Sequence, residues 1–106
     1  MEYSAIVNNQ HFRNIAAMLR AGRSHQIARA PFNLLARTPY SSASDEWLGH
    51  FVSIQMMLTR SGEATISTDD MDWFVSLLDG ERPDTIIALL LAYASAPEEP
   101  EAAYAE

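Results

Sequence analysis

The sequence predicts an all-α fold, a compact bundle of four to five short helices followed by an acidic tail, and three observations carry that expectation. Apolar residues recur at three- and four-residue spacing in one segment after another, which lines one face of a helix. Serine, asparagine and proline stand where such segments begin and glycine where they end. No stretch alternates with the two-residue period of a half-buried strand. A chain of 106 residues suits one domain, read here as residues 1–96, with 97–106 as a flexible tail rich in glutamate.

The first segment covers residues 9–21, with Asn8 or Asn9 as cap and Phe12, Ile15, Ala16 and Leu19 on the inner face. Ser4 could start it earlier. Gly22 is the expected left-handed stop. Ser24 then opens a short helix over 25–30 that Pro31 interrupts, because the residue before a proline is pushed out of helical geometry. Pro31 itself can head a further turn over 32–37.

After a loop at 38–42, Ser44 caps a helix with Asp45 and Glu46 in its first turn, where acids favour the positive end of the dipole. Trp47, Phe51, Ile54 and Leu58 form its stripe, Leu48 and Val52 widen it, and Gly62 ends it. Residues 63–66 read as loop, with a brief strand as the alternative. Ser67 or Thr68 caps a helix over 69–79 whose inner face is Met71, Phe74, Val75 and Leu78, with Gly80 as stop. The last helix starts at Pro83 and runs to about residue 96. Its segment from Ile86 to Tyr93 is apolar nearly all round, so it is expected to be the buried centre or half of a homodimer interface.

Composition removes several chemistries. With no cysteine, disulfides, thiolate metal sites and cysteine nucleophiles are excluded. His11, His25 and His50 never share the i, i+4 spacing that offers two imidazoles from one helix face. Asp69, Asp70 and Asp72 could attract a hard cation but lack the glycine and distal glutamate of a calcium loop, and capping explains them better. No nucleophile elbow and no glycine-rich phosphate loop is present, so no catalytic residue, metal or cofactor is expected. The N-terminus lacks a secretory pattern and the longest apolar run is about half a membrane span, which points to a cytoplasmic protein and no membrane contact.

Charge is the uneven feature. Residues 1–40 carry Arg13, Arg20, Arg23, Arg29 and Arg37 against the lone acid Glu2, giving +4 of the −7 total, so residues 41–106 carry −11. The function expected from this is a non-enzymatic macromolecular binding module whose partner is in the first place another protein. Its acidic surface, with Asp69, Asp70 and Asp72, would imitate nucleic-acid phosphates and block a nucleic-acid-handling target, as small inhibitors and immunity-type proteins do. Met57 and Trp73, which lie off the inner stripes or beside them, are the candidate apolar contacts. The alternative is a helix-turn-helix DNA-binding regulator. There, residues 24–30 would enter the major groove with Ser24, His25, Gln26 and Arg29 as readers, and the remaining N-terminal arginines would reach phosphates.

Overall fold

In the computed structural model, which describes residues 3–63 and 65–96, the chain forms six α-helices and no strand among the described residues. They are α1 (Tyr3–Val7), α2 (Gln10–Ser24), α3 (Arg29–Arg37), α4 (Glu46–Arg60), α5 (Thr68–Leu78) and α6 (Pro83–Ser95). The expected tail at 97–106 lies outside the described residues.

α1 and α2 are separate because Asn9 leaves helical geometry between them and its side chain accepts the His11 amide at 2.8 Å. That bond satisfies one of the amides a helix start leaves without a partner. α2 then runs three residues past its expected end. Gly22 is no left-handed stop: the single positive φ among the described residues is at Gly62. Gly22 is buried, and a Cβ built there would stand 2.6 Å from Ile54 Cγ2. Glycine is needed at this position for the close approach of α2 to α4.

The short helix expected at 25–30 does not form. Residues 25–28 make a turn in which His25 Nδ1 accepts the amides of Ile27 and Ala28 at 3.1 and 3.3 Å. α3 starts at Arg29, two residues ahead of Pro31. The proline therefore sits in the first turn, where its missing amide costs no helical hydrogen bond, and it is buried rather than a break.

α4 keeps the expected stripe. Ser44 accepts the Glu46 amide, although Asp45 holds the cap position and makes no side-chain cap bond. Its end is a Schellman motif: the Glu63 amide reaches Leu58 O, the Gly62 amide reaches Thr59 O, and Gly62 takes φ 79°. Val52, expected to widen the stripe, is exposed on the opposite side. Residues 63, 65 and 66 are loop, with Ile66 turned into the core. α5 starts at a capping box, in which Ser67 Oγ accepts the Asp70 amide and Asp70 Oδ2 accepts the Ser67 amide. Val75, expected on its inner face, is exposed, and Gly80 follows the helix without left-handed geometry.

The centre is α2, not α6. α2 packs against all five other helices, whereas the main packing of α6 is against α2 and α5. The six buried positions of α2, from Phe12 to Gly22, cover a broad arc. Around that arc lie Trp47, Phe51 and Phe74, whose rings pack at centroid distances of 5.2 to 6.0 Å and join α4 to α5. α6 closes the far side with Ile86, Ile87, Leu90 and Ala94, while Tyr93 meets Phe12 edge-on.

Candidate functional site

Two polar clusters lie along α2, and their local chemistry differs. The first is the joint between α2 and α5. Because His11 and Asn14 are three residues apart, they share one face of α2 and both reach Asp70. His11 Nδ1 is 2.8 Å from Asp70 Oδ1, and Asn14 Nδ2 donates to the same carboxylate at 3.2 and 3.4 Å. Trp73, one turn beyond Asp70, stacks on the His11 ring at 5.7 Å.

Asp70 is buried, and burial alone would raise its carboxyl above the ordinary value. Hydrogen bonds from His11, the Ser67 amide, Asn14 and the Ser67 side chain outweigh that effect and hold it below. An ionised carboxylate only accepts, so His11 Nδ1 carries the donated proton. This aims Nε2 away from Asp70. A cleft of about 470 Å³ opens beside the joint, bounded by Asn14, Met18, Glu63, Thr65, Ser67 and Asp70. Ser67 Oγ, at the edge of this cleft, already accepts the Asp70 amide.

The expected acidic face is therefore corrected. Asp69 and Asp72 are exposed, but Asp70 points inward and belongs to the capping box and the joint. Helical phase accounts for it, because Asp70 lies one turn before the buried Phe74.

The second cluster is the corner where α2 passes into α3. Arg23 and Ser24 end α2, Arg29 begins α3, and Asn33 follows one turn later; together they line an open cleft of about 410 Å³. Of the five N-terminal arginines, two are tied into the fold. Arg13 donates to Asn8 Oδ1 and the Val7 carbonyl, and Arg20 donates to the Tyr93 carbonyl in the last turn of α6. Arg23, Arg29 and Arg37 are exposed and make no side-chain hydrogen bond or ion pair among the described residues. Arg29, Asn33 and Arg37 recur every four residues, so they form one outward stripe opposite the buried Pro31, Phe32 and Leu35.

The predicted apolar contacts also shift. Met57 and Trp73 are half-buried and packed against the core. The outward residues of α4 are Val52 and Met56, the latter 49% exposed, with Gly49 in open space one turn earlier. Sequence alone does not single out His11, Asn14 or Asn33 as site residues. The phase set by Trp47, Phe51, Ile54 and Leu58 already turns position 56 outward, whereas nothing local links His11 to a carboxylate 59 residues away.

No family model matches the chain, and no curated protein or solved structure is significantly similar to it. The fold defines an all-α helical bundle, and among the described residues no helix is long and apolar enough to cross a membrane.

Proposed function

We propose that this chain is a non-enzymatic binding module whose partner is another protein, engaged through the exposed carboxylates of α5 and its flanking loops. The observation that carries the reading is that, among the described residues, the two halves do not pair charge with charge. Among the described residues no arginine pairs with a carboxylate, and the single close ionisable pair is His11 with Asp70. Asp69, Asp72, Asp79 and Glu81 are exposed and remain available to an external cationic surface. Unpaired charge of one sign steers encounter with a surface of the other. A groove built to receive phosphates is such a surface, and an inhibitor occupying it needs carboxylates facing outward. Val52 and Met56 on α4 would add adaptable apolar contact.

A homodimer through α6 has less support. Its leucines and isoleucines turn inward or pack against the core, leaving mainly Ala88, Ala92 and Tyr93 outside. The helix-turn-helix alternative also changes, since residues 25–28 are a turn and His25 is used in holding it. Any reading helix would be α3, through Arg29, Asn33 and Arg37.

The test is affinity capture from the native host after nuclease treatment, comparing the natural chain with a D69N/D72N/D79N/E81Q variant. A protein retained by the first and lost by the second is the expected result. Equal retention by both would remove the acidic surface from the interface.

A further inference from the structure

We propose that the α2–α3 corner is a phosphate-binding cleft, with Arg23, Ser24, Arg29 and Asn33 recognising the phosphate oxygens of a nucleic-acid backbone. This goes beyond the acidic-surface reading and rests on different residues.

The first argument is the donor set. Two guanidinium forks, a hydroxyl and an amide line one cleft from two helices, with no carboxylate among its lining residues. Guanidinium matches phosphate with paired hydrogen bonds. A backbone phosphodiester presents two non-bridging oxygens set tetrahedrally at phosphorus, each able to accept more than one hydrogen bond, so it can bridge donors from both helices.

The second argument is a cost without an internal return. Arg29 is the first residue of α3, at the positive end of its dipole, and the first turn contains no acid and no side-chain cap bond. Cations are disfavoured there and anions favoured. His25 Nδ1 already holds the turn amides of Ile27 and Ala28, so the cleft offers side chains more than backbone groups. A bound anion would offset the placement of Arg29.

The third argument is the sorting of the arginines. Arg13, although exposed, and Arg20 are hydrogen-bonded within the fold, whereas Arg23, Arg29 and Arg37 are exposed without such a bond among the described residues, at this corner and along α3. Asn33 and Arg37 continue the stripe from Arg29 along α3, which suits a run of successive phosphates better than a single ion. Such contacts are made to the backbone and carry no base sequence.

The experiment measures binding of a short fluorescein-labelled DNA duplex by anisotropy at low salt, and of inorganic phosphate by backbone amide shifts at 23–33. The natural chain is expected to bind the duplex without sequence preference. R23Q/R29Q should weaken this about tenfold and lower the salt slope by about two. R23K/R29K keeps the charge and loses the forks, so it should fall between them. Both variants change exposed side chains outside the internal hydrogen bonds, and circular dichroism checks their helix content. The D69N/D72N/D79N/E81Q variant should bind the duplex at least as well as the natural chain, so this test can fail while the protein-partner reading stands, and the reverse. Shifts with phosphate but no duplex binding would overturn the nucleic-acid assignment and give the cleft to a free phosphate. Duplex binding undiminished in R23Q/R29Q, or no binding of either probe, would overturn the cleft altogether.

Discussion

The α2–α5 joint and the α2–α3 corner draw on the same central helix, yet one turns its charge inward and the other outward. At the joint, Asp70 accepts from His11, Asn14 and the Ser67 amide and is almost wholly buried. At the corner, Arg23 and Arg29 are exposed and form no internal bond among the described residues. A buried charge persists in a fold only when its hydrogen bonds are met, so the joint serves architecture. An exposed, unpaired charge adds little to stability, which leaves it open to a partner.

The sharpest break in this contrast is expected at Asp70. Replacing it with alanine removes a capping box and leaves partly buried donors without their acceptor, an expected loss of about 2 kcal/mol by denaturant unfolding. The same site sets a pH dependence. Because the folded state holds this carboxyl below its ordinary value, the unfolded chain takes up the proton first as pH falls. The stability due to Asp70 is therefore complete above about pH 4 and is lost progressively below it. The gap in Tm between the natural chain and D70N should narrow on acidification through that range.

A middle-sized effect is expected at Gly22, where α2 meets α4 beside the corner. An alanine there gains helix propensity of about 1 kcal/mol but drives its Cβ against Ile54, a cost of about 1–3 kcal/mol. Crowding should win, giving a net loss near 1 kcal/mol and a displaced corner, read as weaker duplex binding without any change of charge. The smallest effect belongs to the exposed charges. R23Q/R29Q and D69N/D72N should each stay within about 0.5 kcal/mol of the natural chain in unfolding experiments. A larger loss in R23Q/R29Q would show that the corner is also structural and erase the contrast.

The residues that sequence reads well act on their near neighbours. Asn9 and Ser67 cap within three residues, Pro83 opens α6, and Gly62 ends α4, each by chemistry complete inside one turn of helix. What was misread depends on contacts between distant segments. Gly22 looks like a stop until Ile54 is seen against it, and Asp70 looks like an exposed cap residue until His11 and Asn14 arrive from α2. α6 is the most uniformly apolar helix, yet α2 is central, because position depends on how many neighbours a helix must serve. Of the candidate residues, Asp69, Asp72 and four of the arginines are exposed, Arg20 is half-buried, and Asp70, Met57 and Trp73 are partly or wholly withdrawn into the packing.

The hub role of α2 also constrains the order in which the chain can acquire structure. Its most extensive packing is with α6, and Arg20 reaches the Tyr93 carbonyl across 73 residues of sequence. During synthesis the apolar arc of α2 emerges before α6 and must wait for it before its main partner exists. Contacts of such separation reward the chain only after a long loop has closed, which favours one late cooperative step over assembly in halves. A nascent chain halted after α4 would thus present its central helix half-clothed, and it is there that a chaperone would find something to hold.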